Sequence, residues 1–356
     1  MAAVYNYNRR SALINDFLRR IFKVASNFFY DDKFGFEPEG LCDQAHDIVR
    51  DLHRWLGADF ADTKLQLDTE PVILGVEYKL KECVLEVTAA RKKELREEIG
   101  SYLREKRITP GQAAKLKGKL MFAATQLWGK VGRAFLRPLS ERQYSRQYRE
   151  HLDTALRLSL EEWLKLLDTA PRRKLRPEAD TGVDAVIFTD GFFPDTRRGE
   201  SGQAQVGAVA FWKDGTKPPS YVSEVVEAKL MQTWLPRNSQ IAMIELFAPV
   251  LILHLLKDTL RGKKVLVFMD SESALGALVK GYPSREDISE LAGVFWQLAA
   301  RLETSIYLDR VSTDSNPADG PSRPDKAHTY QHLKWLQVKG AWRQLLESDQ
   351  CRAWEK

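Results

Sequence analysis

The strongest constraint on the fold is the order of strand-like and helix-like segments after residue 183. Three apolar runs come first, a helical pattern follows, and a strand, two helices and a last strand complete the order β-β-β-α-β-α-α-β. This order predicts an α/β fold with one mixed sheet and helices packed on it. The predicted strands are 184–190, 206–212, 221–226, 264–270 and 305–311, and the predicted helices are 238–256, 271–280 and 289–302.

Four acidic residues occupy particular places in this order. Asp190 and Asp270 end predicted strands, Glu245 lies in the first predicted helix, and Asp319 lies in the loop after the last strand. A two-metal phosphodiester hydrolase needs several hard oxygen ligands to hold two ions roughly 4 Å apart. The pattern therefore predicts these four residues as catalytic metal ligands, with two Mg²⁺ or Mn²⁺ ions as the cofactor.

Each acid also has a simpler interpretation. An aspartate at a strand end often forms a turn or caps a helix, and Asp319 also has the sequence context of a turn. Glu245 is harder to explain in this way, because a partly buried acid among apolar neighbours needs a partner, a metal or a shifted pKa. Pro249 cannot donate to the carbonyl of Glu245, which predicts a bend in that helix.

The sequence around these acids resembles the ribonuclease H family over residues 183–325. The matching contexts are Thr189-Asp190-Gly191, Ile244-Glu245-Leu246, Asp270-Ser271 and the run Asn-Pro-Ala-Asp-Gly-Pro-Ser-Arg at 316–323. The last run is similar to the Ala-Asp-x-x-Ser-Arg ending of retroelement ribonucleases H. The resemblance implies a mixed five-stranded sheet and metal-dependent hydrolysis of the RNA strand of RNA–DNA hybrids.

The chain departs from this family in one respect. Many members have a histidine in the loop before the last aspartate, whereas residues 312–318 contain none. The nearest histidine downstream is His328. Histidine-assisted product release is therefore not implied, while metal binding is.

A second pattern lies near the N-terminus. Residues 27–36 contain two short aromatic runs on either side of Asp31 and Asp32, which predicts a hairpin with two acids at its tip. Asp-Asp turns are common, but this one resembles the aromatic-x-Asp-Asp hairpin of reverse transcriptases. Segments 72–76, 117–123 and 132–139 resemble the primer grip, thumb and connection that follow it. The match is closest to DIRS-type and related retroelements, and it implies Asp31 and Asp32 as metal ligands.

A polymerase site in this chain is expected to be incomplete. Such a site needs another aspartate on an earlier palm strand, and only Asp16, in a helical pattern, precedes Asp31. The resemblance thus implies that this chain corresponds to the C-terminal part of a reverse transcriptase. The missing N-terminal polymerase segment would then be a partner of this chain.

The expected domains follow from the same patterns. Residues 1–82 form the end of the palm, 83–170 a helical thumb and connection, 171–182 a basic linker between prolines, 183–325 the ribonuclease H-like domain, and 326–356 a C-terminal helical tail. Helices are predicted at 8–22, 42–55, 88–103 and 152–167. Another is predicted to begin at Thr109-Pro110-Gly111-Gln112, which has the residues of a capping box.

Basic residues in the thumb region predict contact with nucleic-acid phosphates, although a solvated helix face has the same pattern. The net charge of +5 permits a polyanionic partner such as an RNA–DNA hybrid. The candidate nucleic-acid-binding residues are Lys115, Lys117, Lys119, Lys130, Arg133 and Arg137.

Composition excludes several other classes. No run is long and apolar enough for a membrane span, no signal peptide is recognisable, and the three cysteines are widely spaced. An intracellular protein of the nucleus or cytoplasm is expected.

Other functions remain open. A DEDD-type exonuclease needs Asp-x-Glu on its first strand, where this chain has Asp190-Gly191-Phe192, and a transposase or integrase would end its triad in glutamate. The main alternative is an inactive retroelement remnant or a nucleic-acid-binding protein.

Overall fold

The computed structural model describes residues 2–145, 150–175, 182–194, 202–213, 215, 217–323, 330 and 333–335. The chain forms two compact units, Met1–Thr88 and Ala89–Lys356. The sequence predicts the main division at the basic linker after residue 170, but the structure has it at residue 88. The reason is that the helices after residue 88 pack in the same unit as the large sheet.

The first unit combines two helices with short antiparallel strands. Strands β1 and β2 form the predicted hairpin, with Phe29 opposite Asp32, and β3, β4 and β5 pair in sequence. Ile14, Leu18 and Leu52 are in its core. Its elements are α1 (Ala2–Arg20), β1 (Ser26–Phe29), β2 (Asp32–Gly35), α2 (Cys42–Trp55), β3 (Val72–Ile73), β4 (Val76–Lys79) and β5 (Val84–Val87).

The second unit begins with four helices, α3 (Ala89–Glu105), α4 (Pro110–Ala124), α5 (Arg137–Gln143) and α6 (Thr154–Thr169). Helix α4 begins at the predicted capping box, which the structure confirms. The Thr109 hydroxyl accepts from the Gln112 amide at 3.2 Å, and the Gln112 side chain accepts from the Thr109 amide at 2.8 Å.

The predicted linker is anchored at its start. The carbonyl of Pro171 accepts from the amide of Trp128 at 3.1 Å, and Arg173 donates to the carbonyl of Thr125 at 2.9 Å. Residues Arg173–Lys174 form a short strand, β6. Residues 171–174 are thus part of the folded unit, and residues 176–181 lie outside the described part of the chain.

A six-stranded mixed sheet follows, in the order β11-β10-β7-β8-β9-β12. Strands β7, β8 and β9 are antiparallel neighbours, whereas β10 is parallel to both β7 and β11. The elements are β7 (Ala185–Phe192), β8 (Gln205–Trp212), β9 (Ser220–Val225), α7 (Ala228–Met231), α8 (Ile241–Leu255), α9 (Lys257–Leu260), β10 (Lys264–Met269), α10 (Glu272–Lys280), α11 (Glu286–Arg301), β11 (Ser305–Arg310), α12 (Asp319–Ser322) and β12 (Lys334–Trp335).

The predicted α/β class is confirmed, since strands β7 to β11 form the expected mixed five-stranded sheet with helices packed on it. The sixth strand, β12, is only two residues long and runs parallel to β9. It lies in the segment predicted as a helical tail, so that prediction is wrong at Lys334–Trp335, where the backbone pairs with a sheet edge instead. Residues 336–356 lie outside the described part.

Helices α8 and α11 form the main core with the sheet, through side chains such as Ile187, Phe247 and Phe295. Pro249 lies inside α8, which continues to Leu255. Across the described ranges, no helix combines the length and apolar character needed to cross a lipid bilayer.

Candidate active site

Asp190 lies inside β7, near its C-terminal end. The strand continues to Phe192, two residues further than predicted, and only 8% of Asp190 is exposed. The next residue, Gly191, faces the backbone of α8. A Cβ atom there would lie 2.8 Å from the amide nitrogen of Glu245. The absence of a side chain at Gly191 therefore lets α8 approach β7 and brings Glu245 beside Asp190.

Asp270 directly follows β10, the parallel neighbour of β7, with Met269 opposite Thr189. The residue after it, Ser271, caps α10 by accepting from the Ala274 amide at 3.3 Å. Its side chain also hydrogen-bonds to Glu245. The Asp-Ser pair thus ends the strand, begins the helix and holds the glutamate of α8.

Burial and mutual repulsion change the acidity of this group. Burial is the main cause that raises the pKa of Asp190 to about 6, and the charges of Asp270 and Asp319 raise it further. Burial likewise raises the pKa of Glu245 to about 7, with further increases from Asp270 and Asp190. Hydrogen bonds from Ser322 and Ser271 act in the opposite direction. The structure therefore brings the four predicted acids into one electrostatically coupled group.

Asp319 is held beside β7 by the segment around it. The Asn316 side chain donates to the carbonyl of Thr189 at 3.1 Å and accepts from the Ala318 amide at 3.1 Å. The buried Ser322 hydroxyl donates to Oδ2 of Asp190 and contacts the carbonyl of Asp319 at 3.0 Å. These bonds link the fourth acid to the first.

Helix α12, which begins at Asp319, is packed closely on β8. A Cβ atom at Gly207 would lie 2.3 Å from the amide nitrogen of Ser322, so this position requires glycine. The Gln205 side chain donates to the carbonyl of Pro321 at 2.9 Å, and the Tyr330 hydroxyl donates to the carbonyl of Pro317 at 2.7 Å.

Sequence reasoning did not identify these supporting residues. Asn316 and Ser322 belong to the run at 316–323, in which the sequence pattern singles out only Asp319 as a candidate ligand. The Ala-Asp-x-x-Ser-Arg pattern at 318–323 was the available signal for Ser322. Gln205 has no distinguishing sequence context. Gly207 does have one, because a glycine inside a predicted strand often indicates the close approach of another backbone, and this signal could have identified it.

The donor set suits Mg²⁺ or Mn²⁺, since carboxylate oxygens are the ligands these hard ions prefer. Among the described residues, no group of three or more His, Cys, Asp and Glu side chains is already spaced to hold a metal ion. The physical reason lies in the contacts of the acids. Asp190 accepts from Ser322, Glu245 is bonded to Ser271, and Asp319 accepts from Arg323 at 2.8 Å.

The two hairpin acids have a different setting. Asp31 lies in the turn between β1 and β2, and Asp32 is the first residue of β2; both are exposed. The described strands of this hairpin pair only with each other. Among the described residues, the structure therefore brings no third strand beside these acids. The downstream histidine, His328, lies outside the described residues.

Four of the six candidate nucleic-acid-binding residues contact an acid or a helix end. Lys119 forms ion pairs with Glu94 and Glu98, both at 2.7 Å. Arg137 forms ion pairs with Glu141 and with Glu286.

Lys130 and Arg133 lie at the C-terminal end of α10, where they donate to the carbonyls of Val279 and Lys280. A helix C-terminus stabilises cations, which explains this placement. Lys117 lies over the ring of Tyr144, and Lys115 is exposed. Lys115 and Lys117 are therefore the two candidates that contact neither an acid nor a helix end among the described residues.

No family model matches the chain, and no curated protein matches it. Among solved structures, the chain is similar to the foamy viral protease-reverse transcriptase in complex with an RNA/DNA hybrid. The identity is 17%, with 86% of this chain and 38% of that chain covered and a TM-score of 0.41. A foamy viral protease-reverse transcriptase in complex with double-stranded DNA matches at 17% identity, with 85% and 48% covered and a TM-score of 0.38.

A smaller protein, the LC11 ribonuclease H1 isolated from compost by a metagenomic approach, matches at 20% identity. That match covers 41% of this chain and 99% of the other, with a TM-score of 0.32. The chain thus spans less than half the length of the two viral chains and nearly all of the small one.

Proposed function

We propose that the second unit is a ribonuclease H-type endonuclease that hydrolyses the RNA strand of RNA–DNA hybrids by two-metal catalysis. The observation that supports this most is the coupled group of Asp190, Glu245 and Asp270, where burial and repulsion raise the pKa of Asp190 and of Glu245. Several acids in a partly buried group are costly for a protein unless a cation joins them. A metal site accounts for that cost.

Asp190, Glu245, Asp270 and Asp319 are the residues that would hold the metal ions. When bound, two Mg²⁺ ions supply Lewis acidity for the attacking water and for the leaving oxygen. Ser322 and Ser271 orient Asp190 and Glu245 through their hydrogen bonds. Because these two acids retain protons at pH values near 6 and 7, metal binding is expected to release protons and to strengthen as the pH rises.

The resemblance to ribonucleases H suggests the substrate. Hybrid duplexes are recognised through groove shape and 2′-hydroxyl contacts, with little reading of base sequence. Lys115 and Lys117 are the thumb residues best placed to add phosphate contacts, since Lys115 is exposed and neither is paired with an acid in the described part of the chain.

We also propose that the chain is the C-terminal part of a retroelement reverse transcriptase of the DIRS or a related type. The order of an Asp-Asp hairpin, a helical region and a ribonuclease H-like sheet supports this proposal. Residues 1–82 would then be the end of the palm and residues 83–170 the thumb and connection.

The nuclease proposal is tested with a labelled RNA–DNA hybrid and Mg²⁺. Wild type should cleave the RNA strand, and Asp190→Asn and Asp270→Asn should each abolish cleavage, because an amide is a poor metal ligand. Asp314→Asn is the matched control, since Asp314 is exposed and close in sequence to Asp319. Circular dichroism verifies that each variant is folded.

Unchanged cleavage in both active-site variants would show that the site is wrong. Hybrid binding without any cleavage by wild type would instead favour the inactive, nucleic-acid-binding alternative.

Primer extension tests the polymerase part. Polymerisation needs metals shared among carboxylates of neighbouring strands, whereas Asp31 and Asp32 lie on a hairpin whose described strands pair only with each other. We expect no extension of a primed template with dNTPs and Mg²⁺ or Mn²⁺. Extension that Asp31→Asn removes would contradict this.

A further inference from the structure

Arg323 is a cation in direct contact with one of the four acids of the candidate active site. Its Nε donates to Oδ1 of Asp319 at 2.8 Å, and the two residues form an ion pair. In the described part of the chain, the other three acids, Asp190, Glu245 and Asp270, form no ion pair. The proposed two-metal site gives no role to this arginine.

Two further contacts hold Arg323 at the edge of the site. Its amide donates to the carbonyl of Gly320 at 3.1 Å, and its guanidinium lies over the ring of Phe192, 5.6 Å from the ring centre. Phe192 ends β7 two residues after Asp190, so both side chains are on the same face of the sheet. Because a cation–π contact does not need the carboxylate, the guanidinium can leave Asp319 and stay beside the acids.

A divalent cation and Arg323 compete for the carboxylate of Asp319. The oxygen that accepts from the guanidinium is also a preferred ligand of a hard metal ion, and the two positive charges repel each other. The side chain of Arg323 is 36% exposed and that of Asp319 is 23% exposed. An ion pair that is open to water in this way contributes little to stability, so a metal ion can replace it.

We propose that Arg323 is a displaceable counter-ion that positions the substrate. It neutralises Asp319 in the metal-free chain, leaves this carboxylate when a divalent cation binds, and then donates to a phosphate of the hybrid backbone. A guanidinium suits this second partner, because its planar fork matches two phosphate oxygens. The exchange keeps every charge paired, since the metal replaces arginine on Asp319 and the phosphate replaces Asp319 on arginine. This inference rests on the proposed nuclease function and adds to it a substrate contact that depends on metal.

Isothermal titration of the full chain with Mn²⁺ at pH 8, without nucleic acid, tests the competition. Arg323→Met should bind Mn²⁺ about fivefold more tightly than wild type, because the competing ion pair is lost. Arg323→Lys retains the positive charge and should lie closer to wild type. The matched control is Arg157→Met, because Arg157 forms an ion pair of the same spacing with Glu161, at 2.9 Å on α6. It should bind Mn²⁺ as wild type does.

Binding of the RNA–DNA hybrid tests the second contact. In EDTA, where Arg323 is paired with Asp319, the fluorescence anisotropy of a labelled hybrid should give Arg323→Met an affinity within about twofold of wild type. With Mg²⁺, the KM for the hybrid should rise about tenfold, as expected for one lost charge-assisted hydrogen bond. A purely structural role would not tighten Mn²⁺ binding while weakening substrate binding. Thermal unfolding verifies that each variant is folded.

The outcomes separate this inference from the nuclease proposal. Mn²⁺ binding by Arg323→Met that is equal to or weaker than that of wild type would overturn the inference, and so would an unchanged KM. The nuclease proposal would survive either result, provided that wild type binds Mn²⁺ through Asp190 and Asp270. Wild type that binds no Mn²⁺ would overturn both.

Discussion

The acids of the two units lie in contrasting surroundings. Asp190 is 8% exposed. The charges of Asp270, after β10, and Asp319, in α12, raise its pKa, and Glu245 of α8 lies beside it. Asp31 and Asp32 are exposed neighbours on one hairpin. Acidic side chains at a strand end therefore do not make a site by themselves. The difference is that distant segments of the second unit converge through close backbone packing, whereas the hairpin brings together only its own residues.

The largest effect is expected where this packing is tightest. Gly207→Ala would place a Cβ atom 2.3 Å from the backbone of α12, which must shift and take Asp319 with it. We expect a loss of about 3 kcal/mol in the free energy of unfolding and loss of hybrid cleavage. Urea unfolding and the cleavage assay measure these effects.

Gly40→Ala in the first unit is the matched substitution, since nothing lies within 4 Å of a Cβ atom there. It should change stability by no more than about 0.5 kcal/mol. If Gly207→Ala and Gly40→Ala lowered the free energy of unfolding equally, the proposed difference in packing between the two units would be contradicted.

The next effect concerns pH. The pKa of Asp190 rises on folding from 3.8 to about 6, so the folded state binds the proton more tightly. This contribution to stability is complete below pH 4 and is lost as the pH rises through about 6. The side chain of the Asp190→Asn variant cannot ionise. In the absence of metal, its free energy of unfolding above pH 7 should therefore exceed that of wild type by up to about 3 kcal/mol.

Unfolding in EDTA at pH 4 and pH 8 checks this prediction. The difference between the variant and wild type should appear only at the higher pH. Asp31→Asn, at an exposed position, should alter stability by less than about 0.5 kcal/mol at both pH values. A variant of Asp190 that is no more stable than wild type at pH 8 would contradict the role of burial.

Ser322→Ala tests the hydrogen bond between α12 and Asp190. Its hydroxyl lowers the pKa of Asp190, so removing it should raise that pKa and cost about 1 kcal/mol of stability. The acidic limb of the pH–rate profile should move to higher pH, which a purely structural role would not cause. Ser315→Ala, at an exposed serine of the same loop, should leave the profile unchanged.

The smallest effect is expected for Lys119. Because this lysine is paired with Glu94 and Glu98, Lys119→Met should cost no more than about 1 kcal/mol and leave hybrid affinity unchanged. Lys115→Met should weaken hybrid binding, and more strongly at low salt. Fluorescence anisotropy at two salt concentrations compares them. A larger loss of hybrid affinity for Lys119→Met than for Lys115→Met would show that Lys119, rather than Lys115, contacts the nucleic acid.

Much of the second unit could be predicted from local patterns. Apolar runs with strand propensity gave the five strands to within one or two residues, and the capping box at Thr109 located the start of α4. The acids could be placed as well, because each stands at a recognisable point of an element. The division of the chain could not, since the anchoring of Pro171 by Trp128 joins residues far apart in sequence.

The supporting contacts were unpredictable for the same reason. Ser322 and Asp190 are 132 residues apart, and their bond depends on how α12 packs on β8. The pairing of Lys119 depends on which face of α3 meets α4. Periodicity identifies faces of single elements, whereas these contacts are set by the tertiary arrangement.

The central claim is that the acids of the second unit, rather than those of the hairpin, form the metal site. Isothermal titration of the full chain with Mn²⁺ at pH 8 tests it most directly. We expect two ions per wild-type chain, loss of both in the combined Asp190→Asn, Asp270→Asn variant, and two ions in Asp314→Asn. Replacing Asp31 and Asp32 by Asn should remove at most a weak additional site. Mn²⁺ binding that survives in the Asp190, Asp270 variant and disappears with Asp31 and Asp32 would contradict the account.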